Sequence, residues 1–309
     1  MTTVAVYLAK RILSMIPVLL GLTIAVFFIL RLIPGNPVKM SLGFNASSQA
    51  VAMMTRQLGL NRPLWVQLGS YVWNLVHGDL GLSMQSGQPV AFLLAQRFPA
   101  TLELAGAGMV VAVIMGATLG VIAALFIGTW VDRAVMVVAT IGLSVPVFWV
   151  GLLLVMVFSL FLHWFPVFGY GGISHLVLPA ISLGVVASAV IARLVRASMA
   201  EVLNSDYVRT ARAKGAGRAR VVLRHALRNA LIPAITIMGL QVGSLLGGTV
   251  ILEQLFGWPG LGSLLITAVN GRDYTLVQGG VLYLALIFLV VNLAVDLLYS
   301  VIDPRVRYG

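Results

Sequence analysis

The sequence predicts an all-α membrane protein that crosses the bilayer six times. Of its 309 residues, 60% are hydrophobic and only 9% are charged, and the mean hydropathy is +1.02. A water-soluble protein carries roughly a quarter charged residues, so a soluble fold is excluded. The apolar residues also fall into six charge-free windows. Each window approaches or exceeds the ~20 residues that a helix needs to cross the hydrocarbon core.

The windows define the predicted spans in chain order. The first resembles a signal peptide because Lys10 and Arg11 precede it, but it is long for such a region and no small-x-small cleavage site follows, so we interpret it as an uncleaved span. Pro146 predicts a kink in the third window because proline removes a backbone hydrogen bond. The six windows are Ile12–Leu30, Leu104–Val131, Ala134–Leu162, Leu176–Ala192, Asn229–Leu252 and Tyr274–Val295.

The distribution of basic residues predicts the orientation of the chain. With the N-terminus in the cytoplasm, fourteen of the twenty Lys and Arg residues lie in cytoplasmic segments, and five of the other six flank or lie in the long first loop. Positive residues favour the cytoplasmic side, so both termini are expected there. The chain then divides into residues 1–100, a span with an external region, and residues 101–309, a five-helix core.

The net charge of +11 does not indicate a nucleic-acid partner. The charges cluster beside apolar segments, and no basic surface interleaved with aromatic residues accompanies them. We interpret them as topology determinants that also attract anionic membrane lipid. The sequence has no cysteine, which excludes disulfides and thiolate metal sites.

A basic island, residues 193–228, separates the fourth and fifth windows. It holds nine of the twenty Lys and Arg residues and only two acids. Within it, Asp206 is predicted to cap a helix from Tyr207 to Lys214, and Gly215 to end it. The apolar and small side chains of this helix alternate with charge, which is typical of a segment that docks in a groove of another protein. We therefore expect a protein partner to act here from the cytoplasm.

A second helix is predicted in the island over Arg218–Arg228. Arg220, Arg224 and Arg228 recur at helical spacing along one face, and valines and leucines cover much of the rest. Such a helix fits a membrane surface equally well. Asn229 is expected to cap the fifth span.

The sequence has no motif for catalysis or nucleotide binding. It lacks G-x-x-x-x-G-K-[ST] and G-x-S-x-G, and its four histidines show no metal-ligand spacing. A membrane enzyme is therefore disfavoured. A secondary carrier usually keeps ionisable residues near the bilayer midplane, but here the acids lie at span ends. Only Asp296 is deep enough to need a partner, such as Arg193. Energy for transport is expected from another protein, and an ATP-independent carrier or channel remains the alternative.

Small residues share one face of the fifth span. Gly239, Gly243 and Gly247 recur every four residues, which allows another backbone to approach closely. Ordinary packing within a helical bundle explains any single glycine. The face as a whole predicts a border with a translocation path or a partner subunit.

At the residues of the basic island the chain resembles the permease subunits of binding-protein-dependent ABC importers, in the dipeptide, oligopeptide, nickel and glutathione group. Residues 206–215, D-Y-V-R-T-A-R-A-K-G, with residues 224–233, R-H-A-L-R-N-A-L-I-P, look like the group's form of the cytoplasmic EAA loop. Arg209-Thr210-Ala211 stands in the place of E-A-A, so the glutamate of the general pattern is missing. Other segments that look like group signatures, nearer the first permease than the second, are Leu58–Pro63, Gly78–Ser83, Pro99–Leu104, Glu253–Gly262, Arg272–Tyr274 and Asp303–Tyr308.

The resemblance implies a type I importer permease with a MetI-like fold in the bacterial inner membrane. It implies a homologous second permease, two cytoplasmic ATPases that use ATP and Mg²⁺, and an extracytoplasmic substrate-binding protein, while this chain itself holds no cofactor or metal. The residues that it implicates are Asp206, Tyr207, Val208, Arg209, Thr210, Ala211, Arg212, Lys214 and Gly215 for ATPase coupling; Gly239, Gln241, Gly243 and Gly247 for the path or subunit interface; and Glu253, Trp258, Pro259 and Asp273 for an external gate or binding-protein contact.

Overall fold

The computed structural model describes residues 2–35, 38–39 and 47–302. Over these residues the secondary structure is helical, and the one extended pairing is an isolated antiparallel bridge between Leu82 and Pro89. The terminal signature Asp303–Tyr308 lies outside the described residues.

The described helices follow one another with short connections. The helix α9 is entered through a short helical segment, Arg218–Arg220, and a π-helical turn, Val221–Ala226, without a break. The helices are α1 (Thr2–Leu32), α2 (Ser48–Gln57), α3 (Leu64–Val76), α4 (Val90–Leu125), α5 (Trp130–Ser144), α6 (Val147–Leu154, continued as a π-helix over Val155–Phe161), α7 (Ile173–Leu203), α8 (Asp206–Ala213), α9 (Leu227–Phe256), α10 (Leu261–Asn270) and α11 (Tyr274–Ile302).

Several helices are long and apolar enough to cross a membrane. In the described part of the chain there are four unbroken candidates: Ala9–Leu32 of α1, all of α4, all of α7, and Tyr274–Leu297 of α11. Two bent pairs raise the count to six if each is one span, namely α5 with α6 and its π-helix, and Gln241–Phe256 of α9 with α10. The prediction of an all-α, multi-pass membrane protein is confirmed.

The third window is broken rather than kinked. The helix α5 ends at Ser144, Val145 is extended with φ −87° and ψ 128°, and Pro146 lies at the N-cap of α6. The two helices meet at 106°. Proline cannot continue the hydrogen-bond ladder, and it also moves the preceding residue out of the α region. Both effects act here, so the bend is larger than the sequence predicted.

The chain forms two compact units. Of the described residues, the first contains those up to Pro99 together with Pro259–Leu293, and the second contains Ala100–Trp258 together with Ala294–Ile302. The predicted division into residues 1–100 and 101–309 stays a prediction. The return of α10 and most of α11 to the first unit was not part of that prediction.

Glycines allow close helix packing inside the second unit. A Cβ atom on Gly116 would lie 2.7 Å from the Cβ atom of Ile191, and one on Gly120 would lie 2.7 Å from the carbonyl oxygen of Ala192. Side chains larger than hydrogen therefore do not fit, and α4 lies directly against α7. The small residues of the second window thus serve contact within the chain.

Each unit has its own apolar core. That of the second unit is built around fully buried side chains of α4, α7 and α9, among them Leu104, Val195 and Leu252. That of the first unit includes Leu94 of α4 and Leu261 of α10, which are also buried.

Candidate functional site

The short helix α8 of the basic island begins one residue earlier than predicted. Ser205 occupies the N-cap position with φ −71° and ψ 153°, and Asp206 is the first helical residue. The side chain of Ser205 donates a hydrogen bond to the carbonyl oxygen of Val202 and does not cap the helix. The prediction of Asp206 as the cap is therefore wrong. Its carboxylate instead lies 3.7 Å from the guanidinium of Arg209, on an exposed face where such a pair stabilises little.

The C-terminal end of α8 is the one that the sequence predicted. Gly215 has φ +83°, a left-handed conformation that glycine adopts without a steric penalty. Its N–H donates to the carbonyl oxygen of Arg212 at 3.0 Å, and the N–H of Ala216 donates to that of Ala211 at 3.1 Å. These two bonds form a Schellman motif, which satisfies carbonyls that a helix end leaves free.

The two sides of α8 differ in exposure. Val208 is fully buried and anchors the helix within the second unit, where α8 packs against the π-helical turn Val221–Ala226. Ala211 is half-buried, and Tyr207 is 43% exposed. The remaining predicted coupling residues are all exposed, so α8 presents a polar, mainly basic surface: Asp206, Arg209, Thr210, Arg212, Lys214 and Gly215.

The second island helix is continuous with the fifth span. The π-helical turn passes directly into α9, so Asn229 lies inside the helix, and its prediction as a cap is wrong. The side-chain amide of Asn229 donates instead to the hydroxyl of Tyr207 at 2.8 Å. This bond ties α8 to the first turn of α9. Arg220, Arg224 and Arg228 are exposed, as the predicted face requires.

An ion pair that the sequence did not predict joins α5 to α7. Arg196 donates from Nε and Nη2 to the two carboxylate oxygens of Asp132, at 2.5 and 2.7 Å. Asp132 also accepts a bond from the backbone N–H of Gly128 at 3.0 Å. The side chain of Asp132 is 5% exposed and that of Arg196 is 29% exposed. The pairing of Arg193 with Asp296 stays a prediction.

The predicted external turn is a buried junction of the second unit. Glu253 is fully buried and accepts a hydrogen bond from the hydroxyl of Thr101 at 2.7 Å. Trp258 is 1% exposed, and its indole N–H donates to the carbonyl oxygen of Ala100 at 2.7 Å. Between them, Gly257 ends α9 with φ +63°. The turn therefore joins the end of α9 to residues at the second unit's N-terminal edge.

Asp273 has a comparable role in the first unit. One carboxylate oxygen accepts the N–H of Leu276 at 3.0 Å, which caps α11, and the other accepts the hydroxyl of Ser83 at 2.5 Å. Asp273 is fully buried, whereas Pro259 is half-buried. The side chains of Glu253, Trp258 and Asp273 are thus enclosed within the chain. Their predicted role at an external gate or a binding-protein contact stays a prediction.

The predicted glycine face is only partly free. A Cβ atom on Gly239 would clash with the side chain of Val295 of α11, so this glycine serves packing within the chain. Gly243 is buried and Gln241 is half-buried. Gly247 is exposed, with open space where a Cβ atom would lie. The path or interface role therefore rests on the part of the face around Gly247.

Comparison with known proteins identifies the family. Residues 116–308 match the family model described as the binding-protein-dependent transport system inner membrane component, and residues 4–105 match its N-terminal counterpart. The chain belongs to this family. The permease is 43% identical to the dipeptide transport system permease protein DppB of Alkalihalophilus pseudofirmus and 46% identical to the glutathione transport system permease protein GsiC of Escherichia coli. Each comparison covers 98% of this chain and 99% of the relative.

A solved structure supports the fold. A chain of the inward-facing MetNI methionine ABC transporter matches with a TM-score of 0.58 at 19% identity, covering 69% of this chain and 97% of that chain. The fold is thus the MetI-like permease fold that the resemblance implied. The protein is a permease subunit that works within an ABC transporter complex, so ATP hydrolysis belongs to partner subunits. A carrier independent of ATP is not favoured.

Proposed function

We propose that this permease imports peptide-type solutes, such as dipeptides or glutathione, across the bacterial inner membrane. The support is full-length similarity to permeases named for dipeptide and glutathione transport. Selectivity lies mainly in a separate extracytoplasmic binding protein that delivers the cargo. A homologous second permease completes the pore, and this chain binds no cofactor.

The coupling mechanism rests on the exposed surface of α8. With both termini in the cytoplasm, the basic island faces two ATPases that bind ATP and Mg²⁺. The exposed side chains of Arg209, Arg212 and Lys214 suit an acidic groove on one of them. This exposed surface, on a helix anchored by the buried Val208, is the single observation that carries the proposed coupling to an ATPase.

Movement of α8 would reach the spans through two links at its N-terminal end. The N-terminal end is joined to α7 by a turn of two residues, Asn204 and Ser205, and Tyr207 is bonded to α9 through Asn229. ATP-driven closure of the ATPases thus moves both spans together, which fits alternating access by a bundle with two stable arrangements.

The end of α8 provides the test of coupling. An aspartate in place of Gly215 is strained by the left-handed backbone, whereas Gly217 is also exposed and has no positive φ, so Gly217→Asp is a matched control. We expect Gly215→Asp to lower ATP-driven uptake, because an aspartate in the left-handed conformation costs about 1–2 kcal/mol and so disfavours the native end of α8. Deletion of Tyr207–Lys214 should abolish uptake while membrane insertion persists.

Uptake is measured in proteoliposomes that hold the permease with the transport proteins encoded beside it. Normal uptake by the deletion variant would contradict the coupling role. The cargo is tested separately, by the heat stability of the accompanying binding protein with dialanine or glutathione. Stabilisation by neither compound would contradict the peptide-type assignment without affecting the coupling result.

A further inference from the structure

A partly open cavity with several polar groups lies inside the first unit. It has a volume of about 410 Å³ and is lined by the end of α1, the helix α3, the first turns of α11 and the segments around residues 57–62 and 79–84. This volume is in the range of pockets that hold small molecules. A second cavity of about 420 Å³ shares Arg31, Gln67 and Tyr274 with it. None of the residues that line the cavity belongs to α8 or to the glycine face, so neither role explains it.

Three residues that line the cavity each carry a buried polar atom with no hydrogen-bond partner among the described residues. They are the hydroxyl oxygens of Tyr71 and Tyr274 and the side-chain amide nitrogen of Gln278. Tyr274 is 8% exposed and Gln278 is 6% exposed. Buried polar groups nearly always have a partner in native proteins, so three orphaned groups in one cavity indicate a ligand.

The three orphaned groups can all donate. Burial raises the pKa of Tyr71 to about 12, so its hydroxyl keeps its proton at neutral pH. The side-chain amide nitrogen of Gln278 carries two N–H donors and cannot accept a hydrogen bond. A ligand with acceptor atoms, which are typically oxygen, can therefore satisfy all three together.

The charge in the cavity points to an anion. The guanidinium of Arg31 stacks on the ring of Phe27 with its central carbon 3.3 Å from the ring centroid. It donates to the side-chain oxygen of Gln67 at 3.0 and 3.2 Å and to the carbonyl oxygen of Phe27 at 3.1 Å. All of these partners are neutral, and within the described residues no carboxylate forms an ion pair with Arg31.

Arg31 lines the same cavity as Tyr71 and Tyr274. Three of its five N–H groups are used by the bonds to Gln67 and Phe27, which leaves two for a ligand. Among the described residues of the cavity wall, the two arginines Arg31 and Arg62 outnumber the acid Asp79, so this wall carries a net positive charge.

We propose that this cavity binds an oxyanion, a carboxylate or a phosphate, through Arg31, Tyr71, Tyr274 and Gln278. A small soluble acid and the phosphate of a lipid headgroup both supply this chemistry. The proposal does not depend on the cargo that the permease carries.

The test measures binding to the full-length chain in lipid-free detergent by calorimetry. The soluble probe is dialanine, compared with its C-terminal amide, which has the same shape without the carboxylate. The lipid probe is phosphatidylglycerol added to the detergent. Binding of dialanine but not of its amide supports a soluble acid as the source, whereas Arg31-dependent binding of phosphatidylglycerol alone supports a lipid.

Variants assign the binding to this cavity. Arg31→Gln should lower the affinity for the bound probe at least about tenfold. Tyr274→Phe and Gln278→Leu should each lower this affinity about threefold to tenfold, since each removes one donor. Arg56→Gln is the matched control, because Arg56 is an exposed arginine of α2 that lines neither cavity.

If Arg31→Gln does not fold, the binding measured with Tyr274→Phe decides, because this variant keeps the buried ring. Binding of neither probe, or equal binding by Tyr274→Phe and the native chain, overturns the proposal.

Discussion

The helix α8 and the turn from Glu253 to Trp258 both belong to the second unit, and the sequence marks both as contact surfaces. Their environments are opposite. On α8 the basic side chains are exposed, and the buried side chain is that of Val208. In the turn, Glu253 and Trp258 are enclosed, and both bond to groups at the start of the second unit.

The difference shows that a distinctive sequence motif can serve either the folding of the chain or its contact with a partner. A buried carboxylate is costly unless it is hydrogen-bonded, so Glu253 and its partner Thr101 must be placed together for the fold to form. Exposed arginines carry no such cost and contribute little to stability alone. The turn therefore serves the structure of the permease, whereas α8 is available to a partner.

The largest expected effect is on Trp258. Trp258→Ala should lower the free energy of unfolding by about 3–5 kcal/mol, because a fully buried aromatic side chain is lost. Trp258→Phe should cost less, since only the bond to Ala100 and part of the ring disappear. Trp73→Ala is the matched control, since Trp73 is 68% exposed. Unfolding is followed in detergent, and equal stability of Trp258→Ala and the control would show that the turn is not a structural junction.

An intermediate effect is expected at the Asp132–Arg196 pair. Asp132→Asn should lower the free energy of unfolding by about 1–3 kcal/mol, less than for a fully buried pair because Arg196 is partly exposed. Asp206→Asn removes the same charge beside Arg209, but that pair is exposed, so no measurable change in stability is expected. Thermal unfolding of the two variants checks this, and equal losses would refute the contrast between the buried and the exposed pair.

The smallest effect is expected at the contact between α8 and α9. Tyr207→Phe and Asn229→Ala each remove one exposed hydrogen bond, which is worth about 1 kcal/mol or less. Each should reduce ATP-driven uptake about twofold, and the double variant should be no worse than either one, because both act on the same bond. Additive losses in uptake would show that the two residues act separately.

Hydrophobicity predicted where the chain crosses the membrane but not how far each helix extends. The helix α4 begins at Val90, fourteen residues before the window at Leu104, because the helix continues through Arg97, a charge that the hydrophobic window excludes. Gly215 was predictable because a left-handed helix end has few alternatives to glycine. The cap was misplaced because Ser205 and Asp206 are adjacent and both suit that position.

Contacts between distant residues had no signal in the sequence. Thr101 and Glu253 are 152 residues apart, and Ser83 and Asp273 are 190 apart. The cavity around Arg31 also had no signal in the sequence, because its donors come from three separate helices, α1, α3 and α11. The π-helical turn before α9 was also missed, because its residues suit an ordinary α-helix equally well.

The π-helical turn Val221–Ala226 gives α9 an adjustable joint at its base. The helix beyond it has thirty residues and spans about 45 Å. A π turn holds one more residue than an α turn, so resolving it would rotate the rod about its own axis by about 100° while most of the backbone ladder stays intact. A small displacement at the basic end of α9 would then rotate Phe256 about the helix axis instead of tilting the helix.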